Sequence, residues 1–163
     1  MLAVADERGL LMCEFHDRPL LSKQLDRVEA ICGGKPQDAP HEVIDQTRRE
    51  LDEYFLGQRE SFSIPLVLEG KPFQTSVWRE LLQIPFGKTT SYDSIAQRLK
   101  KPGAARAVGQ ANGDNRIAII VPCHRVIAAN GSISGYGGGR HRKRWLLAHE
   151  KRGVQLSLHS EWE

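Results

Sequence analysis

The sequence has few cysteines and no long apolar run. Its three cysteines, Cys13, Cys32 and Cys123, are an odd number at wide spacing, which fits neither a disulfide framework nor a zinc site. No stretch approaches the roughly 20 apolar residues that cross a bilayer, and residues 1–8 lack the basic start and apolar block of a signal peptide. These absences argue against a secreted disulfide-rich module and against a membrane protein. We therefore expect a reducing, cytoplasmic setting (nuclear in a eukaryote), with no metal, no cofactor and no membrane partner.

Charge is divided unevenly along the 163 residues. Residues 1–70 hold 8 Lys and Arg against 14 Asp and Glu, and residues 71–163 hold 15 against 6, so a net charge of +3 hides an acidic part and a strongly basic part. This segregation predicts two modules, the second with a surface for a polyanion such as nucleic acid. A solvated basic face without a ligand is the alternative. We place the boundary at Glu69-Gly70-Lys71-Pro72, which gives modules at 1–69 and 70–155 and a tail at 156–163.

The acidic part is typical of a small α/β module. Apolar residues alternate in its strand-like stretches and recur near a period of 3.6 in its helix-like ones, and Gly33-Gly34 and Gly57 supply helix ends. No chemical motif is present, so we expect the module to be structural. The predicted elements are strands at 2–4, 10–15 and 62–68 and helices at 20–31 and 41–55.

Three helices are predicted at the start of the basic part. The first covers residues 73–84. Thr90 can cap the second helix, with Asp93 in a capping-box-like position. The third covers residues 104–111 and follows the short basic turn at 100–103. Because two short helices joined by a tight glycine-containing turn are the pattern of a helix-turn-helix, we predict one here.

The third helix has a smooth outer face. Ala105, Gly109 and Asn112 project very little from it, and Arg106 is the single long basic side chain near them. A helix that reads bases normally offers several long polar side chains to the major groove. This face instead suits close backbone approach and recognition of DNA shape in the narrow minor groove. An ordinary alanine-rich core helix explains the same pattern.

The C-terminal stretch combines a turn, a glycine-rich loop and a basic run. A hairpin is predicted at 128–134 around Asn130-Gly131, and the loop follows at 135–139. The basic run at 140–144 opens a final helix at 145–150. A basic start opposes the helix dipole, which favours a phosphate-contacting role over a merely solvated helix start.

The most informative segment is the apolar run Ile119-Ile120-Val121, which ends at Pro122 and is followed at once by Cys123-His124-Arg125. Proline has no N–H for a sheet ladder, so Cys123 should lie where buried structure gives way to a turn. A thiolate is a nucleophile and is favoured by nearby cations. In a strand Cys123 and His124 would point to opposite faces, so they cooperate only if the chain turns here. A buried cysteine beside a surface histidine is the alternative.

The segment Pro122-Cys123-His124-Arg125-Val126 resembles the signature of the alkylguanine-DNA alkyltransferases, also called methylated-DNA–protein-cysteine methyltransferases. The resemblance covers about residues 70–150, whereas residues 1–69 agree only in general shape. The further motifs occur in the same order and are Phe73-Gln74, Val77-Trp78, Ile84-Pro85, Gly87, Ser91-Tyr92, Ile95-Ala96, Ala105-Arg106-Ala107-Val108-Gly109, Asn115, Gly131, Ser134-Gly135-Tyr136, Leu146-Leu147 and Glu150.

This resemblance implies a fold and an activity. The fold is an α/β N-terminal module, ribonuclease-H-like with a small antiparallel sheet and helices, followed by a mainly α C-terminal domain whose helix-turn-helix is winged-helix-like. The activity is DNA repair: the protein binds the minor groove, flips an alkylated guanine out of the stack and moves the alkyl group from its O6 to a cysteine, irreversibly and once per molecule. The implied partner is double-stranded DNA with O6-alkylguanine, and the resemblance leaves the repair of O4-alkylthymine open. We expect a monomer with no obligate protein partner.

The resemblance also implies residue roles. Cys123 accepts the alkyl group, His124 deprotonates it through a water molecule and Glu150 orients His124. Asn115 holds the turn beside the cysteine. Tyr92 helps to rotate the phosphate and protonates the departing guanine. The other implied site residues are DNA contacts at Ser91, Ala105, Gly109, Arg125 and Arg106, of which Arg106 fills the gap left by the flipped base, and pocket residues at Ser134, Tyr136, Gly137 and Lys143.

The state of the thiol is a further expectation. A free cysteine is only a few per cent thiolate at pH 7. Lowering its pKa by about two units from roughly 8.5 would make it mostly thiolate, and we expect a His124–Glu150 pair near basic residues to supply this. Three alternatives to alkyl transfer stay open: a Cys-His-Glu hydrolase that turns over many times, a module that recognises alkylated DNA without repairing it, and a plain helix-turn-helix regulator.

Overall fold

The computed structural model describes residues 1–133 and 135–160, the last seven of these by their backbone alone. The N-terminal part contains a two-stranded antiparallel sheet and two helices, as predicted. The strand pair is closed by a tight turn in which the Asp6 carboxylate accepts a hydrogen bond from the Arg8 backbone N–H at 2.9 Å. The elements are β1 Leu2–Asp6, β2 Gly9–Glu14, α1 Leu21–Cys32 and α2 Glu42–Phe55.

The predicted third strand at 62–68 is wrong, since this stretch forms only an isolated parallel bridge from Leu66 to Leu10. The Leu10 N–H donates to the Pro65 carbonyl at 2.8 Å, and the Val67 N–H donates to the Leu10 carbonyl at 2.9 Å. Pro65 has no N–H to donate, which keeps the ladder from extending.

The same free edge of β2 also meets the segment that leads to Cys123. The Cys13 N–H donates to the Arg116 carbonyl at 2.9 Å, and the Ala118 N–H donates to the Cys13 carbonyl at 2.7 Å. All six residues of β2 are buried. A central strand of the N-terminal part is therefore hydrogen-bonded directly to the chain that precedes Cys123.

The C-terminal part is mainly helical. The first predicted helix begins and ends close to its expected bounds, and the two helices of the expected helix-turn-helix pack against each other. The four helices are α3 Pro72–Leu81, α4 Tyr92–Arg98, α5 Ala105–Gly113 and α6 Arg140–Ser160, and the strands β3 Thr90–Ser91 and β4 Val126–Ile127 pair in parallel.

Three local predictions in this part need correction. The N-cap of α4 is Ser91 and not Thr90, because the Ser91 Oγ accepts the Ser94 N–H at 3.1 Å while Thr90 pairs with Val126. The hairpin predicted at 128–134 forms only its turn within the described residues 128–133, where the Gly131 N–H donates to the Ala128 carbonyl at 2.9 Å and the Ala128 N–H donates to the Ser132 carbonyl at 3.1 Å, without a strand ladder. The final helix is longer than 145–150 and continues through most of the predicted tail.

The main hydrophobic core includes side chains from both predicted modules. Leu10, Cys13 and Tyr54 lie in it together with C-terminal residues such as Val77 and Leu146. A second, smaller core of Val4, Leu11, Met12, Val28 and Val67 lies under α1. The module boundaries at 1–69 and 70–155 stay a prediction. No helix in the described part of the chain has the length and apolar character needed to cross a membrane.

Candidate active site

The turn that carries Cys123 is buried and strained. Residues 117–126 are all buried, and Ile119 has a φ of +72°, which a β-branched residue rarely adopts. A short 3₁₀ helix, Cys123–Arg125, follows Pro122. The chain therefore turns at Pro122, as cooperation between Cys123 and His124 requires. Strain of this kind costs on the order of 1–3 kcal/mol and persists where surrounding contacts impose it.

Asn115 supplies those contacts. Its Oδ1 accepts the Ile117 N–H at 3.0 Å, and its Nδ2 donates to the Ile117 and Val121 carbonyls at 3.2 and 3.0 Å. The same Nδ2 lies 3.1 Å from the Cys123 Sγ. Asn112 adds a bond to the Cys123 carbonyl at 3.3 Å. One buried amide thus closes the turn and holds the sulfur.

The resting thiol is protonated, contrary to the expected thiolate. Burial raises the pKa of Cys123 to about 11, although the Asn115 hydrogen bond opposes this shift. The negative charge of Glu14 raises this pKa further, and the positive charges of Arg18 and Lys143 lower it. Desolvation outweighs the nearby cations because Cys123 is buried, with 6% exposure. Transfer to this sulfur therefore needs a base that removes the proton.

His124 has the position and the protonation state that such a base requires. Its Nε2 lies 2.7 Å from the Glu150 Oε1, and burial lowers the pKa of the imidazole, which is neutral at pH 7. Because a carboxylate only accepts, the proton of the neutral ring is on Nε2, which leaves a lone pair on Nδ1. His124 Nδ1 is buried and has no hydrogen-bond partner within the described residues.

Glu150 is the centre of a hydrogen-bond network. Its carboxylate accepts bonds from the Tyr54 hydroxyl at 2.9 Å, from the Gly87 N–H at 3.1 Å and from the Arg125 Nε at 2.9 Å, besides the His124 contact. Burial works against ionisation of Glu150, but the hydrogen bond from His124 and the hydrogen bonds and positive charge of Arg125 lower its pKa to about 2. The carboxylate is therefore ionised and fixes the tautomer of His124.

Two of the four predicted pocket residues line a cavity. Tyr92, Gly109, Tyr136 and Gly137 contribute to the lining of a cavity of about 270 Å³. The Tyr136 hydroxyl is buried, has no hydrogen-bond partner in the described part of the chain, and has a pKa well above its usual range because of burial. Lys143 is also buried, and its Nζ donates to the Val126 carbonyl at 2.6 Å. Ser134, the remaining predicted pocket residue, lies outside the described residues.

Most of the predicted DNA contacts lie together around the start of α4 and the first turns of α5. Ser91 caps α4, and Tyr92 is its first residue. A Cβ on Gly109 would lie 3.8 Å from the Tyr92 ring, so the two helices approach closely there. Ala105 and Arg106 begin α5, and Arg106 is exposed. Of these residues, Tyr92 and Gly109 also line the cavity.

Arg125 is buried inside the protein and does not lie at the surface, where its predicted contact with DNA requires it. It is buried at 6% exposure, its Nε and Nη2 donate to Glu150, and its Nη1 donates to the Ile84 carbonyl at 2.6 Å. All three nitrogens are thus engaged inside the protein. The direction of this side chain depends on where Glu150 lies in the fold, which sequence spacing does not disclose.

Sequence reasoning missed three residues of the N-terminal part that reach this site. Tyr54 is on α2 and bonds Glu150, while Glu14 and Arg18 lie beside the Cys123 turn. Tyr54 lies on the apolar stripe of its helix and so resembles an ordinary core residue. The described residues contain no group of three or more His, Cys, Asp or Glu side chains that could hold a metal ion.

The comparisons with known proteins cover both parts of the chain. Residues 2–68 match the ribonuclease-like domain of 6-O-methylguanine DNA methyltransferase, and residues 72–152 match the DNA binding domain of the same family. A methylated-DNA–protein-cysteine methyltransferase of Mycobacterium tuberculosis is 58% identical over 109 residues, which are 67% of this chain and 66% of that protein. The match thus spans just under two thirds of the length of this relative. A protein of the same name from Methanosarcina barkeri is 42% identical over 139 residues, 82% of this chain and 88% of its own length.

Solved structures show the same architecture. The crystal structure of Mycobacterium tuberculosis OGT in complex with DNA has a TM-score of 0.79 and 40% identity, covering 93% of this chain and 86% of that one. The O6-methylguanine-DNA methyltransferase of Pyrococcus kodakaraensis has a TM-score of 0.68 and 28% identity, covering 90% and 89%. The predicted ribonuclease-like N-terminal module and helical C-terminal domain are confirmed at this level. The family resemblance is therefore confirmed, and the chain belongs to the methylated-DNA–protein-cysteine methyltransferases.

Proposed function

We propose that this protein repairs DNA by moving an alkyl group, such as methyl, from the O6 of a flipped-out guanine to the Sγ of Cys123. The observation that carries this proposal is the arrangement of the buried thiol. Asn115 holds the sulfur, and the adjacent His124 is oriented by an ionised Glu150 with one ring nitrogen free to accept a proton. A duplex carrying O6-alkylguanine is the proposed substrate and partner.

The chemistry follows from the protonation states. His124 Nδ1 takes the thiol proton through one water molecule, and the resulting imidazolium is stabilised by the Glu150 carboxylate. The thiolate attacks the alkyl carbon, a C–S bond forms and the C–O bond to guanine breaks. Tyr92 supplies a proton to the departing guanine and is reprotonated from solvent, while the thiol proton on His124 returns to solvent. The products are an S-alkyl cysteine and an unmodified guanine.

The DNA-binding surface in this proposal is the start of α4 together with the outer face of α5. We propose that these helices act as a winged-helix-like helix-turn-helix that recognises the minor groove by shape, because α5 offers small residues and a single exposed Arg106 there. Extruding a damaged base costs less than extruding a paired one, which contributes to selectivity. We expect the protein to act as a monomer. It should work in the compartment that holds DNA, which is the cytoplasm or a nucleus.

Stoichiometry tests the proposed function. The thioether product has no good leaving group, so each molecule should react once. We expect intact mass spectrometry to show a gain of one methyl group on Cys123 after mixing with a duplex that contains one O6-methylguanine. Repaired guanine should plateau at one per protein with the duplex in excess. Repaired guanine that keeps accumulating beyond the protein concentration would contradict the proposal.

Replacing Arg106 with alanine should slow repair through the DNA step. Loss of a contact inside the duplex costs about 1–3 kcal/mol, which corresponds to about 5- to 150-fold in the transfer rate at limiting DNA. The chemistry at Cys123 should be unchanged once the lesion is bound. Arg49→Ala, an exposed arginine on α2 of the N-terminal part, removes the same charge and serves as the control. Equal losses in the two variants would indicate a general charge effect and not a specific contact.

A further inference from the structure

A short segment of the N-terminal part, residues 14–18, reaches the turn that holds Cys123. Glu14 ends β2, and Arg18 lies four residues later, with exposures of 1% and 7%. The Arg18 Nη1 donates to the Glu14 carboxylate and, at 2.9 Å, to the Asn115 carbonyl. The Arg18 Nη2 donates to the Gly113 carbonyl at 2.5 Å. One buried guanidinium is therefore shared between an N-terminal carboxylate and the backbone of the Cys123 side of the molecule.

The two carbonyls that Arg18 binds, those of Gly113 and Asn115, lie at the end of α5 and beside the Cys123 turn. Gly113 is the last residue of α5, and the carbonyls at a helix end have no partner within the helix. Asn115 lies two residues further on, and its side chain is the one that bonds the Cys123 Sγ. Arg18 thus fixes the backbone from which the thiol-binding amide projects.

The same segment also supports the glycine-rich loop. A Cβ built on Gly137 would lie 2.7 Å from the Arg18 Cζ, and one on Gly138 would lie 2.5 Å from the Phe15 ring. The Phe15 and Tyr136 rings meet edge to face with centroids 6.3 Å apart. The loop that lines the cavity therefore rests directly on residues 15 and 18, and only glycine permits so close an approach.

We propose that Arg18 is a positioning residue for alkyl transfer: it holds the Asn115 amide on the Cys123 sulfur and the glycine-rich loop against the cavity. This inference rests on the proposed function. Glu14 orients Arg18 and balances its charge inside the protein. The N-terminal module is then a working part of the active site, and not the purely structural unit that its sequence suggests.

Because nearby charges change the reactivity of the Cys123 thiol, the role of Arg18 can be measured without DNA. The charged and titratable groups that face Cys123 are Glu14 and Arg18 from this segment, Lys143 from α6, Tyr136 from the loop and His124 beside it. Arg18 offsets most of the charge of the Glu14 carboxylate, and Arg142 makes a smaller contribution. Its loss leaves a negative charge that disfavours the thiolate.

The experiment compares four variants in a Cys32→Ser background, which removes the exposed thiol. These are Arg18→Met, Arg18→Lys, the double variant Glu14→Gln/Arg18→Met, and the control Arg27→Met. Arg27 is matched because it joins α1 to the end of α5 from the surface, through an ion pair with Asp114 at 3.2 Å. Two rates are measured: iodoacetamide labelling of Cys123 against pH without DNA, and methyl transfer in a single turnover at saturating O6-methylguanine duplex.

We expect Arg18→Met to lower the transfer rate by about 10²-fold, the effect of displacing reacting groups by about 1 Å, with the Kd for the duplex unchanged. Its labelling profile should shift to higher pH. The double variant, which carries no unpaired charge, should recover the labelling profile but not the transfer rate. Arg18→Lys should recover part of the rate, because an ammonium reaches fewer acceptors than a guanidinium. Arg27→Met should match the parent protein.

Transfer by the double variant at the parent rate would overturn the inference, and so would an equal loss in Arg27→Met. Because the double variant removes both charges of the pair, it is expected to fold, and a thermal melt of each variant checks this. If the parent protein transfers no methyl group at all, the proposed function fails. The labelling profiles still decide whether Arg18 controls the reactivity of Cys123.

Discussion

Replacing Cys123 with serine is expected to abolish methyl transfer while binding to the lesion persists. Serine is nearly isosteric, and its hydroxyl can accept the same bond from Asn115 that the sulfur accepts at 3.1 Å. A hydroxyl ionises far less readily than a thiol and is a weak nucleophile without strong activation. The expected result is no methyl gain by intact mass after prolonged incubation with O6-methylguanine duplex. Fluorescence anisotropy with the same duplex should give a Kd close to that of the parent.

The other cysteines provide matched controls. Cys32 is exposed at the end of α1, and Cys13 is buried in β2. Burial raises the pKa of Cys13 to about 12, so it is an inert core thiol. Cys32→Ser should keep full transfer, with the added mass located on Cys123. A full mass gain in Cys123→Ser, or its loss in Cys32→Ser, would assign the acceptor to a different residue.

Replacing Glu150 with glutamine is expected to impair both stability and chemistry. The carboxylate is fully buried and is the counter-charge of Arg125, so its loss leaves a buried cation unpaired. Breaking a buried pair in this way costs about 3–5 kcal/mol. The imidazolium that forms on His124 also loses its stabilising charge, and we expect transfer to slow by about 10²-fold or more. Urea denaturation and single-turnover transfer measure the two effects separately.

The free energy of unfolding at acidic pH gives a sharper measurement of the Glu150 contribution. The pKa of Glu150 is lowered from 4.5 to about 2, so its contribution is fully present above about pH 4.5 and is lost as the pH falls through 2. This difference corresponds to about 3 kcal/mol. Glu150→Gln should weaken the pH dependence of the free energy of unfolding below pH 4.5. Glu53→Gln, which disrupts a partly exposed pair with Arg59 at 2.7 Å, should change stability by less than about 1 kcal/mol. The same pH dependence of the free energy of unfolding in Glu150→Gln and in the parent would contradict the stabilising role of the Glu150 hydrogen-bond network.

Local pattern was sufficient for most of the elements. The apolar period of 3.6 and the glycines at 33 and 57 predicted α1 and α2, and alternating apolar residues predicted the strands β1 and β2. It failed where an element needs a distant partner. Residues 62–68 alternate like a strand, but Pro65 and the lack of an adjacent full ladder leave one bridge. Residues 126–127, for which local pattern predicted no strand, pair with 90–91 because β3 lies beside them in the fold.

The sequence by itself determined the order of the chemistry-bearing residues and the family to which they belong. Pro122-Cys123-His124 is contiguous, so a turn at proline is enough to bring thiol and imidazole to one place. Only the tertiary structure decided the partners and the protonation of that site. Tyr54 and Glu150 are 96 positions apart and share a hydrogen bond, Arg125 points inward to Glu150, and Arg18 reaches the carbonyl of Asn115. The physical reason is that burial and side-chain partners depend on how distant segments pack, and burial is what keeps the Cys123 proton in place until a base removes it.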